Sequence, residues 1–147
     1  MSRVYILLIL FVGTLAIDSI LLAILDPFPV IFDEFAHLLI GKTFLQGSLC
    51  NTVHPFYKFF ESFQIQHYPC YTGRYPPLQG AIFALAMVFG LNPLFGNIVI
   101  HAFAVLFLYK LLVLFFPNKL AIFVSFLFAV HPRIINCLLY TSPSPRD

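Results

Sequence analysis

Apolar positions in this chain fall into long runs divided by short proline-containing breaks, with one long polar-aromatic interruption. Residues 4–25 are almost wholly apolar, and Asp18 is the one charge among them. A bilayer core takes about 20 such residues in a helix rising about 1.5 Å per residue, so this run predicts a first membrane span. Asp26-Pro27-Phe28-Pro29 ends it, because proline has no N–H to donate and disfavours helix in the residue before it. A secretory signal has a shorter apolar stretch, about 7–15 residues, followed by a small-residue cleavage site. The run here is longer and no such site follows, so it reads as an anchor or true span.

A second run, 78–89, is short and ends at Gly90. Pro76-Pro77 fits only at its start, where missing N–H groups cost nothing. It crosses a bilayer only by borrowing residues up to 93. The third run, 94–116, contains His101 and Lys110, and Pro117-Asn118-Lys119 forms a turn after it. A fourth opens at 120 and meets His131-Pro132-Arg133. The pattern predicts an all-α integral membrane chain with about three to four transmembrane helices, near 4–25, 78–93, 94–116 and 120–136.

Residues 26–77 are too long for a turn and too aromatic for a linker, which predicts a folded, functional loop. Asp33 can cap a first helix through Phe35, Leu38, Leu39, Phe44 and Leu45 that closes at Gly47. Its apolar content predicts an interfacial helix lying along the membrane surface. A second helix is expected from Pro55 to about Gln66, where Phe56, Phe59, Phe60 and Phe63 share one helical face. That stripe reads as packing on lipid or on other helices.

Composition agrees with the pattern. The hydrophobic set makes up 61% of 147 residues and charged residues 10%, against about 45–50% and about 25% in a soluble domain. A soluble single-domain enzyme and a disordered chain are both disfavoured. A net charge of +2 gives no case for nucleic acid.

The last eleven residues, 137–147, change composition abruptly. They match at every position the translation of a transposon-based sequencing-library adapter, which marks them as an artefactual tail. The expectation is that the genuine sequence runs to about residue 136 and continues elsewhere.

Four stretches carry a resemblance. Ile31-Phe32-Asp33-Glu34-Phe35 follows the first span, and a G-K-T-F-L-Q-G-S-L stretch comes next. Arg74-Tyr75-Pro76-Pro77-Leu78-Gln79-Gly80 precedes the second run. Between them, Thr52-Val53-His54-Pro55 leads into Phe60-Glu61-Ser62-Phe63. Together these resemble the N-terminal part of glycosyltransferase family 39, over roughly residues 31–101. The resemblance implies a GT-C fold with many more spans, so this chain is a fragment of it. It also implies a polyprenyl-phosphate sugar donor, an active site beneath the first external loop, and the cytoplasmic (plasma) membrane of a bacterium as the location. Members commonly carry Lys directly before the paired prolines; here Tyr75 intervenes and Arg74 is the nearest cation.

Transfer of a sugar from a lipid phosphate needs a base for the acceptor proton and a cation for the departing phosphate. The resemblance makes Asp33 the first choice of base, with Glu34 as its partner. Arg74 can grip phosphate through paired hydrogen bonds. Tyr75, His54 and Glu61 complete the substrate-binding set. The plain alternatives are that Asp33 caps a helix, Glu34 is a solvated acid and Arg74 snorkels to an interface.

His37, His54 and His67 with Cys50 and Cys70 lack any C-x-x-C or H-x-x-x-H spacing, so no metal site is assigned. No cofactor is firmly implied, although some GT-C relatives use a divalent ion. Cys50 and Cys70 can form a disulfide if the loop faces an oxidising compartment. Asp18 and Lys110 either pair between helices or lie singly near an interface.

The family orientation places the loop outside. That leaves Arg3 and Arg133 inside but Lys42, Lys58, Arg74 and Lys119 outside, the reverse of the positive-inside preference. The family orientation is the one adopted. Two further function classes stand beside the transferase. A small non-catalytic polytopic protein would tolerate change throughout, whereas a transporter would depend on Asp18 and His101 in the spans.

Overall fold

The computed structural model describes residues 3–25, 27, 32–59 and 62–139. The described chain is mostly helical: α1 (Arg3–Leu25), α2 (Phe32–Leu45), α3 (Pro77–Val88), α4 (Phe95–Phe115), α5 (Asn118–Ala129) and α6 (Pro132–Leu139). Two short strands, β1 (Ile65–Gln66) and β2 (Thr72–Gly73), pair antiparallel with Ile65 opposite Gly73 and Gln66 opposite Thr72. The chain divides into two compact units, one built on α1, α4, α5 and α6, the other on α2, the loop and α3.

In the first unit, α1 and α4 are each long and apolar enough to cross a membrane. α5 and α6 bend by 44° at their junction and together can form a third span. Pro132 explains the bend: with no N–H, it breaks the hydrogen-bond ladder between them. α1 and α4 run antiparallel, as their contacts show. Asp18 meets His101, Phe11 packs on Phe103 with ring centroids 5.1 Å apart, and Ile6 and Leu10 share a core with Val105 and Tyr109. The faces turned away from that core carry exposed Leu8, Val12, Ile24, Phe107 and Leu114. Such apolar surface is costly in water and suits lipid. The protein is a membrane protein.

The second unit is a close helix pair, α2 on α3, with the loop folded against it. Both helices end as their glycines predict. Gly47 and Gly90 take φ of 73° and 71°. Gly47 N–H bonds Phe44 C=O at 2.9 Å and Ser48 N–H bonds Thr43 C=O at 3.1 Å. Gly90 and Leu91 repeat the pattern on Met87 and Ala86. Each is a Schellman closure, which needs a left-handed residue at its corner. The helices cross where side chains are smallest. A Cβ on Gly80 would stand 2.7 Å from Ile40 Cβ, and one on Gly41 would stand 3.0 Å from Phe83 Cβ.

Several expectations need correction. The run 78–93 does not form one long helix: α3 has 12 residues, shorter than the about 20 a span takes, and the chain turns at Gly90. Among the described residues of 55–66 the expected helix is not formed. They include a 3-10 turn at Tyr57–Phe59 followed by β1. The reason is long-range pairing, since β2 claims Ile65 and Gln66. α2 begins at Phe32, which puts Asp33 inside its first turn instead of ahead of it. α6 continues through Cys137 to Leu139, into the segment set apart as artefactual. Leu138 and Leu139 are good helix formers and prolong the helix whatever their origin.

Candidate functional site

The second unit gathers part of the expected constellation. Ala36 and Ile40 of α2 bear directly on Gly73: a Cβ there would lie 2.8 Å from Ala36 O and from Ile40 Cδ1. Only glycine lets β2 approach this closely. The chain then runs along α2 toward its N-terminus, and Tyr75 arrives beside Asp33. Its hydroxyl donates to Asp33 Oδ1 at 2.5 Å across 42 residues of sequence. His37 is one helical turn beyond Asp33 and so shares its face. Its ring lies 4.6 Å from that of Tyr75.

The electrostatics follow from this packing. Burial pushes the Tyr75 phenol up to about 12, with the hydrogen bond to Asp33 and the carboxylate's charge adding to it. The phenol therefore remains a donor throughout the physiological range. Burial lowers the His37 pKa, opposed by the Asp33 charge, so the imidazole is neutral at pH 7. Asp33 thus sits between two neutral polar groups. Glu34 is next in the chain and buried.

The base of the loop is closed covalently. Cys50 and Cys70 form a disulfide with Cα atoms 5.4 Å apart. Asn51 and Tyr71 bridge immediately beside it. Asn51 Nδ2 donates to Thr43 Oγ1 at 2.5 Å, and Thr43 donates to Leu39 C=O at 2.7 Å, which ties the loop to α2. Above this base, His67 lies between Tyr57 and Tyr71, with centroids 5.7 and 5.5 Å away. Both of its ring nitrogens are buried without a hydrogen-bond partner.

Arg74 and His54 line cavities that Asp33 does not border. Arg74 is exposed; its N–H bonds Gln64 C=O at 2.9 Å, and its guanidinium stands 5.6 Å from the Phe63 ring centre. It lines a cavity of about 520 Å³ with Tyr57, Phe63, His67 and Tyr68, and Asp33 does not line that cavity. His54 is exposed, and its Nδ1 accepts the Phe56 N–H at 3.1 Å. It lines a second cavity of about 470 Å³ on which His67 also borders. Glu61 lies outside the described residues. Among the described residues no three His, Cys, Asp or Glu side chains cluster as a metal site.

A second polar centre lies in the membrane-spanning unit. Asp18 Oδ2 and His101 Nδ1 are 2.7 Å apart, and both side chains are 2% exposed. The partner of Asp18 is thus His101, while Lys110 is exposed. α4 buries a polar stripe, since Asn97, His101 and Tyr109 fall on the same side as Val105. Asn97 donates to Leu138 C=O at 3.1 Å and Tyr109 to Asn118 Oδ1 at 2.7 Å.

Sequence reasoning missed Tyr75 as the partner of Asp33, although it named both residues. It also gave His37 no role beside Asp33. The spacing of Asp33 and His37, four residues on one helix, was the available signal. Comparison with family models, curated proteins and solved structures finds no match to this chain.

Proposed function

We propose that this chain is the N-terminal part of a bacterial inner-membrane glycosyltransferase of the GT-C type. It would move a sugar from a polyprenyl phosphate to a protein, lipid or glycan acceptor. The observation that carries the reading is the Asp33–Tyr75 hydrogen bond. It joins two of the segments that carry the family resemblance, the Asp-Glu pair and the stretch before Pro76-Pro77. Tyr75 holds Asp33 Oδ1, which orients the carboxylate and leaves Oδ2 to take the acceptor's proton. Arg74, one residue away in the chain, would bind the departing phosphate. The disulfide supports an external loop, because such bonds persist on the oxidising side of a membrane.

The test is transfer from a polyprenyl-phosphate sugar in membranes expressing the complete reading frame. Asp33→Asn is expected to cost about 10²–10⁴-fold, the usual worth of a general base, with expression retained. Arg74→Ala should also abolish transfer. Wild-type activity in either variant removes that residue from the mechanism.

The buried Asp18–His101 pair favours a second reading, a transporter, because ionisable groups inside membranes often lie on substrate or proton paths. Loss of function at Asp18 and His101 with tolerance at Asp33 and Arg74 would select it.

A further inference from the structure

The loop of the second unit leaves several large rings uncovered. Phe56 is 63% exposed, Phe59 82%, Phe63 81% and Tyr68 85%. The rings fall into two pairs. Phe56 and Phe59 lie 6.4 Å apart, and Phe63 and Tyr68 line one cavity with Arg74. Two cations are interleaved with them: Lys58, exposed in the 3-10 turn between Phe56 and Phe59, and Arg74 beside Phe63. A surface meant for another protein's apolar core is depleted in lysine. Aromatic rings mixed with snorkelling Lys and Arg are instead the composition of a membrane–water interface, where rings enter the headgroup layer and cations meet phosphate. In sequence the loop lies between two helices long and apolar enough to cross a membrane, Val4–Leu25 and Phe95–Phe115.

We propose that the loop docks on the bilayer surface, with Phe56, Phe59, Phe63 and Tyr68 in the headgroup layer and Lys58 on lipid phosphates. The occupant of this surface is the lipid of the membrane that holds the protein. The inference does not depend on glycosyl transfer and stands or falls by a measurement of depth.

The chain contains no tryptophan, so a single introduced indole reports without background. Phe59→Trp and Phe63→Trp are made in the whole chain and reconstituted into phosphatidylcholine–phosphatidylglycerol vesicles, alone and with acyl chains brominated near the headgroup. The expected result is blue-shifted emission, strong loss of intensity on brominated lipid and little quenching by aqueous iodide. Emission at water-exposed wavelengths with strong iodide quenching overturns the proposal. A blue shift that brominated lipid leaves unquenched also overturns it, because protein then covers the rings. Tyr68→Trp repeats the measurement should either phenylalanine variant fail to reconstitute. Lys58→Glu combined with Phe59→Trp should weaken lipid quenching in anionic vesicles.

Discussion

Asp18 of α1 and His101 of α4 meet at 2.7 Å, 83 residues apart in sequence and away from water. Truncating one partner leaves the other buried and unpaired, which costs about 3–5 kcal/mol for a buried pair. Asp18→Ala and His101→Ala should each lose about that much in SDS-titrated unfolding. Asp18→Leu with His101→Phe should recover most of it, because an apolar pair leaves no orphaned polar atom. Full additivity of the two single losses would show that the contact contributes nothing.

Gly80 sets the approach of α3 to α2. A Cβ there would stand 2.7 Å from Ile40 Cβ, so Gly80→Ala should destabilise the second unit by about 1–3 kcal/mol. Gly13 has open space around its Cα, and Gly13→Ala should be neutral or stabilising by up to about 1 kcal/mol. Equal effects at the two glycines would rule out a tight α2–α3 crossing.

The Cys50–Cys70 bridge closes a loop with a sequence separation of 20. Chain-entropy reasoning assigns such a loop about 3 kcal/mol. Cys50→Ser should lower the stability of the second unit by that order, and reduction of the wild type should do the same. Cys137 is free and exposed, so Cys137→Ser serves as the control.

Two groups near Asp33 make opposite pH predictions. The folded pKa of His37 is lowered, so its contribution is complete above about pH 6.5, the ordinary value, and drains as pH falls. His37→Gln should flatten the acid limb of a stability–pH curve. The Tyr75 phenol is raised from 10.0 to about 12, so its contribution is complete below pH 10 and lost as pH climbs through 12. Tyr75→Phe should flatten that alkaline limb. Unchanged limbs in both variants would contradict the burial assigned to these rings.

Much of the architecture was legible along the chain. Unbroken apolar runs located α1 and α4, because a helix that crosses lipid must be apolar on every side over a set length. Gly47 and Gly90 marked helix ends, since a left-handed corner is cheap only for glycine. Asp33 stood out through the family resemblance and as a candidate cap, although it lies inside the first turn of α2.

What the chain could not announce by itself was pairing at a distance. Asp18 had Lys110 as an equally good partner on paper, and antiparallel packing of α1 against α4 chose His101. The phenylalanines of 55–66 carried a helical period, yet pairing of β1 with β2 and the adjacent disulfide drew that segment out of a helix. Tyr75 reaches Asp33 only because Gly73 lets its strand lie against α2. Local sequence determines which conformations each segment tolerates and which surfaces must leave water. Close packing between segments decides which polar groups meet, and that decision exists only in the tertiary structure.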